Sequence, residues 1–452
     1  MSGNQPVDIS AVIDANKVSP FQMWALVLVG LTVVIDGFDV QAMGFVAPAI
    51  IQAWGVDKAT LGPVFGAGLF GMLVGSLALS VLADRIGRRP VLIGASLFFA
   101  IIMLATAHVS TIDQLLVMRF IAGLGLGAIM PNAMALAGEL SPRRKRVTLM
   151  MWVSCGFTVG AVFGGLLSSV LIPAWGWQSV FYLGGAIPLV LSVLMYFQVP
   201  ESMQFLVLRG KDTRHVGECL RKIDPHLHID RDTRYLVPET KGGAPVAELF
   251  RGGRARGTVL LWVINFMNLL NLYFLANWLP TIAKSAGLPL STAVLVGTML
   301  QVGGVVGTLA MGPIIDRYGF YKVLVPAFLI AAVTIAMIGQ PGISLSLLFA
   351  VVTITGLCII GGQPAVNALA ATYYPTTERS TGIGWSLGIG RIGSIVGPVL
   401  GGELIRMKWS NSDIFLVVAV PAVISALMLL LMALDARGRA ASPAHAGASL
   451  SH

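Results

Sequence analysis

The sequence predicts an all-α membrane protein, with twelve transmembrane helices in two pseudo-symmetric six-helix bundles and both termini in the cytoplasm. Three observations predict it. The 452 residues are 56% hydrophobic and only 11% charged, with a mean hydropathy of +0.82, whereas soluble domains run to about 25% charged. Apolar runs of bilayer-crossing length, about 20 residues, recur from one end of the chain to the other. The second half of the chain then repeats the first.

By that length rule the helices fall near 22–50, 61–83, 90–108, 113–138, 147–172, 178–198, 258–283, 291–315, 322–340, 344–372, 380–405 and 413–434. Helices are expected because hydrocarbon cannot satisfy an open strand edge. The first run is too long for a signal-peptide core and has no Ala-x-Ala site close behind it, so it reads as a retained helix. The organisation is a first bundle over 1–198, a polar cytoplasmic loop over 199–257, a second bundle over 258–435 and a disordered tail over 436–452.

The net charge of +9 does not point to nucleic acid, because of where the charges lie. With the N-terminus inside, cytoplasmic segments hold 24 of the 30 Lys and Arg residues. Outer loops hold Lys58, Lys284, Arg406 and Lys408, while Arg119 and Arg391 lie within helices. This is the positive-inside bias. Cys155, Cys219 and Cys358 have no spacing suited to a disulfide or a metal. With no phosphate-cradling loop, metal cluster or nucleophile–base pair either, neither an enzyme nor a cofactor is expected. The expected partners are lipid, a small ligand and protons, for a chain acting as a monomer.

The repeat runs at an offset of 232 or 233 residues. "GSLALSVLADRIGRRP" (75–90) matches "GTLAMGPIIDRYGFYK" (307–322), and "PNAMALAGELSPRRKR" (131–146) matches "PAVNALAATYYPTTER" (364–379). Gly160 and Gly164 meet Gly393 and Gly397, and Pro48 meets Pro280. Six helices per half leave both halves in one orientation, a parallel repeat that binds cargo near mid-membrane and works by rocking.

Asp36 and Asp39, in "VVIDGFDVQAMGFVAPAI" (33–50), align with Asn268 and Asn271. At i, i+3 they share one helix face. An ionised carboxylate in a membrane is costly, so it pairs or takes a proton. Two nearby acids push one proton affinity upward, which makes this pair the candidate for proton coupling. The alternative is a structural hydrogen-bonded cluster. Arg391 lies near mid-membrane and is the candidate to grip a carboxylate with its two-pronged guanidinium; the alternative is a fixed pair with Glu403 or helix carbonyls. Arg119 either touches cargo or pairs with Asp36 or Asp39. Asn265, Asn268 and Asn271 recur every third residue; such amides either bond a cargo hydroxyl or tie helices together. Gln363, Tyr273 and Trp385 complete the candidate binding set.

"ADRIGRR" (83–89) resembles the cytoplasmic loop motif of the major facilitator superfamily, "RFIAGLGLG" (119–127) its fourth-helix motif and "GFTVGAVFGG" (156–165) its glycine-rich fifth helix. "PESMQFL" (200–206) follows the sixth helix as in many members. Ser80 departs from the Gly that usually opens the loop motif. "DGFDVQAMGFVAPAI" and "YPTTERSTGIGWSLGIGRIG" (374–393) resemble the aromatic acid:proton symporter family, whose first helix carries an Asp-Gly-x-Asp motif. The resemblance implies the major facilitator fold, a bacterial inner membrane and import of an aromatic carboxylate with protons by alternating access. Another organic anion such as muconate, or a facilitator or sensor without coupling, is the alternative. The loop residues Asp84, Arg85, Gly87, Arg88, Arg89, Asp316 and Arg317, with Glu139 and Arg146, read as an inner latch, and the arginines among them also set topology.

Overall fold

The first membrane helix starts where its sequence supplies a cap. Ser19 Oγ accepts from the Gln22 backbone N–H, the Gln22 side chain accepts from that of Ser19 at 2.8 Å, and Pro20 takes the first helical position. The computed structural model describes residues 6–210, 213–227, 233–237, 245–375 and 378–441. Among the described residues, twelve helices are long and apolar enough to cross a membrane. They are α1 (Pro20–Trp54), α2 (Leu61–Ile86), α3 (Arg88–Thr106), α4 (Ile112–Leu140), α5 (Arg143–Trp175), α6 (Gln178–Gln198), α7 (Ala255–Ser285), α8 (Leu290–Tyr318), α9 (Phe320–Ile338), α10 (Leu345–Tyr373), α11 (Arg379–Arg406) and α12 (Asn411–Ala441). The expected all-α class and helix count hold. Helix ends differ by a few residues, chiefly where α7 begins at Ala255 and α12 continues to Ala441. The disorder expected of the tail falls, from 442 onward, outside the described residues.

The chain divides into two units, 1–55 with 63–241 and 56–62 with 242–452. The first unit therefore takes in most of the polar loop. There Thr213–Ile223 forms an amphipathic helix that buries Val216, Cys219, Leu220 and Ile223. It packs beside a short N-terminal helix, Ile9–Ala15, whose buried side includes Ile9 and Ile13. A two-residue parallel strand pair joins Val7–Asp8 to Tyr235–Leu236. Asn16 Nδ2 donates to Asp224 at 3.2 Å, and Asp14 pairs with Arg143 at 3.2 Å. Burial raises the affinity of the Tyr235 phenol for its proton, against the pull of Arg221.

Each unit closes its helices through glycine. In the first, a Cβ on Gly160 of α5 would strike the Val34 carbonyl of α1, and one on Gly71 or Gly75 of α2 would strike the Phe120 or Leu124 carbonyl of α4. In the second, Gly393 of α11 meets the Phe266 carbonyl of α7, and Gly303 and Gly307 of α8 meet the Thr353 and Leu357 carbonyls of α10. These contacts correspond at the same offset of 232 or 233 residues that aligns the two halves. The repeat is thus one of backbone-to-backbone crossings, which small residues permit in a membrane.

Candidate functional site

In the first unit α1 brings Asp36 and Asp39 into the interior, 1% and 2% exposed, and α4 brings Arg119 there at 4%. Gly37, between the acids, lets α1 press against the Phe157 backbone of α5. Arg119 Nη1 lies 3.4 and 3.5 Å from the two Asp39 oxygens. Its Nη2 lies 3.0 Å from Met103 Sδ of α3, and its guanidinium stands 5.0 Å over the Phe181 ring of α6. Of the two acids open to it in the sequence, Arg119 pairs with Asp39. Removing one partner from a buried pair costs about 3–5 kcal/mol, because the other charge is left uncompensated.

The second unit holds amides at the corresponding place. Gln363 of α10 is the hub. Its Oε1 accepts from Asn268 Nδ2 at 2.7 Å, and its Nε2 reaches Asn265 Oδ1 at 2.8 Å and Asn367 Oδ1 at 3.1 Å. Asn265 Nδ2 donates to Ser386 Oγ of α11 at 2.6 Å, so the network spans α7, α10 and α11. Asn268 Oδ1 is buried and has no hydrogen-bond donor. Asn271 turns elsewhere, its Nδ2 donating to the Val418 carbonyl of α12 at 2.7 Å. Asn277 donates back to the Tyr273 carbonyl of its own helix and Trp278 to the Pro398 carbonyl of α11, both at 2.8 Å, so that only the second ties helices together. Tyr273 is half-buried on α7, and Trp385 stacks on Trp262 with centroids 5.9 Å apart.

Arg391 is half-buried near the middle of α11. Among the described residues its side chain makes no ion pair or hydrogen bond; Glu403, the alternative partner, pairs with Arg406 at 2.5 Å. Gly390, Gly393 and Gly397 press the far side of α11 onto α7, whereas a Cβ on Gly384 or Gly388, on the Arg391 side, would meet nothing within 4 Å. The guanidinium therefore stands on an open helix face with its donors unused.

The sequence profile of the Major Facilitator Superfamily matches residues 29–227 and 261–451. The chain belongs to this superfamily. Membership makes it a multi-pass membrane transporter and not an enzyme. It is 40% identical to the 4-hydroxybenzoate transporter PcaK of Pseudomonas aeruginosa over 95% of this chain and 96% of that one. It is 38% identical to a gallate transporter of Pseudomonas putida over 94% and 95% of the two chains. A solved bacterial homologue of the human lysosomal transporter Spinster shares the fold, with a TM-score of 0.68 and 18% identity over 91% of this chain and 97% of that one.

The superfamily's cytoplasmic loop motif is engaged within the first unit. Gly87 takes φ +111°, and a side chain there would strike Glu201. Glu201 Oε1 accepts from the Arg88 and Arg89 backbone N–H groups at 3.1 and 3.2 Å. The Arg88 side chain pairs with Glu139 at the end of α4, which also accepts from Ser202. Arg89 donates to the Tyr196 carbonyl, Arg146 to the Ser141 carbonyl at 3.4 Å, and the Asp84 carbonyl accepts from Arg209 at 2.8 Å. Arg85 is exposed. In the second unit Asp316 and Arg317 are exposed, Arg317 lying 5.4 Å over the Tyr318 ring.

Met103, Phe181, Asn367 and Ser386 escaped the sequence reading. Asn367 had a usable signal, one turn beyond Gln363. Met103 and Phe181 had none, since a methionine and a phenylalanine in a membrane helix look like packing until a cation is found against them.

Proposed function

We propose that this chain is a symporter that imports a hydroxybenzoate-like aromatic carboxylate with one or more protons, by alternating access, across a bacterial cytoplasmic membrane. The observation that carries the reading is Arg391, a half-buried guanidinium on the helix face where Gly384 and Gly388 leave room, with no anion paired to it among the described residues. In a membrane such a cation calls for an anion, and its fork matches a carboxylate. The names of the relatives, transporters of 4-hydroxybenzoate and gallate, support the same cargo class.

The proton has a physical reason. An anion entering against an inside-negative potential pays about 2.3 kcal/mol per 100 mV, and a proton moving with it removes that opposition. Asp39 is the proposed carrier, with Asp36 one turn away. A proton on Asp39 dissolves the tie to Arg119 and so couples loading to a change in how α1 is held against α4. On the ligand side Gln363 and Asn268 offer hydrogen bonds to ring hydroxyls, Tyr273 and Trp385 offer ring surface, and Asn271 ties α7, which carries the amide face, to α12. The loop network of Asp84, Arg85, Gly87, Arg88, Arg89, Glu139 and Arg146, with Asp316 and Arg317, acts as the cytoplasmic latch.

Uptake of labelled aromatic acids into proteoliposomes, with and without an imposed pH gradient, tests the reading. Accumulation of hydroxybenzoates that collapses without the gradient is expected. Equilibration indifferent to the gradient would make the protein a facilitator, and a preference for muconate would move the cargo to non-aromatic dianions.

A further inference from the structure

Arg119 is held from three sides, and the three holders are chemically unlike. Asp39 on α1 holds Nη1 by charge, Met103 Sδ on α3 holds Nη2 at 3.0 Å, and the Phe181 ring on α6 lies against the guanidinium face at 5.0 Å. All are buried; Met103 and Phe181 are fully so. The carboxylate's hold depends on its ionisation. The sulfur and the ring hold a cation at any pH, the ring through the negative face of its π-system.

We infer that Phe181 and Met103 are positioning residues that keep the Arg119 guanidinium seated on α3, α4 and α6 when Asp39 is neutralised, so that proton binding frees α1 and leaves Arg119 in place. Two of the three holders belong to helices other than α1, so loss of the Asp39 charge removes the α1 contact alone. Without the ring and the sulfur, neutralisation would strand a bare buried cation. Arg119 would then resist the proton or swing toward Asp36, and α1 would stay tied.

Most other titratable groups on the surrounding helices are distant along their axes. α3 offers His108 at its outer end, and α6 offers Tyr182, which sits 3.4 Å from His108, and Tyr196 near its inner end. α4 offers Asp113 in its first turn and Glu139 in its last, α2 has Asp84 and Arg85 in its last turn, α3 has Arg88 and Arg89 in its first, and α5 has Arg143, Arg144, Lys145 and Arg146 in its first; Cys155 of α5, two residues from the Phe157 backbone that meets Gly37, is nearer but carries no charge as a thiol. Asp36, Asp39 and Arg119 are thus the charged groups of the mid-span in this unit.

The inference rests on the proton-coupling reading, and one experiment separates the two. The full-length protein is reconstituted in liposomes and its carboxylic C=O stretch is followed by infrared spectroscopy across pH, the Asp39 band being assigned by its loss in Asp39→Asn. Phe181→Leu is expected to move the Asp39 midpoint to lower pH by about half a unit or more, because the negative ring face favours a lone cation over an ion pair, so its loss costs the neutralised state more than the ionised one. Met103→Leu should move it the same way by less. Phe181→Trp, which keeps an aromatic face, should titrate like the wild type. A merely structural role would lower thermal stability without moving the midpoint. A midpoint unmoved or raised in Phe181→Leu overturns the inference and leaves coupling intact; if that variant does not fold, an unmoved Met103→Leu does the same. An Asp39 band that never titrates in the wild type overturns coupling and the inference together.

Discussion

The helix that opens each bundle is polar at the same two places, yet the first carries Asp36 and Asp39 where the second carries Asn268 and Asn271. The difference extends to the partners. Arg119 aligns with Val352 at an offset of 233, so the second bundle has no cation there and needs no acid. Arg391 in turn aligns with Thr158 at the same offset. The crossings were kept: Gly160 on Val34 and Gly393 on Phe266 are the same contact made twice. Duplication preserved how helices approach while the side chains at the centre diverged. One bundle holds a buried ion pair built on a titratable carboxyl; the other holds an uncharged amide network that no physiological pH can alter. On the proposed function, the first half responds to protons and the second recognises cargo.

The comparison can be broken at its strongest point first. Gly160→Val and Gly393→Val place side chains where backbone carbonyls now stand. Each should abolish recovery of monodisperse protein on size-exclusion chromatography, and a normal yield from either would show that the two crossings are not equivalent. Next, Asp39→Asn leaves Arg119 unpaired and should destabilise the protein by about 3 kcal/mol or more. Asp39→Asn with Arg119→Val, which makes this spot resemble its counterpart, should recover most of that loss in thermal melts. Arg391→Ala should weaken 4-hydroxybenzoate binding about 100-fold, with Arg391→Lys in between, as read by equilibrium binding to purified protein. The smallest effect is expected at the amide hub. Gln363→Leu should cost about tenfold in affinity for 4-hydroxybenzoate and less for benzoate, since only the former has a hydroxyl to lose its partner.

The fold was legible because a bilayer imposes length: each span announces itself as a long apolar run, and the glycines that repeat between halves mark the crossings. The burial of Asp36, Asp39 and Arg119 was legible for the same reason, as charges in apolar runs. Which acid Arg119 takes was not, because that depends on how α1 and α4 cross. The end of Asn271 was equally hidden, since it turns to α12 through geometry that no spacing rule contains, whereas the Glu403–Arg406 pair, at i, i+3 on one helix, was open to such a rule. The polar loop was the least readable region. Its helix Thr213–Ile223 is short, and it gains its place by packing on an N-terminal segment some two hundred residues earlier, a long-range pairing without a local signature.

The central claim is that the charged half titrates to drive transport. Its direct test is uptake of 4-hydroxybenzoate into proteoliposomes carrying wild-type protein, Asp36→Asn or Asp39→Asn, measured both under an imposed pH gradient and as counterflow without one. The account predicts that Asp39→Asn loses gradient-driven accumulation while retaining counterflow. Accumulation at the wild-type level in both variants would contradict it.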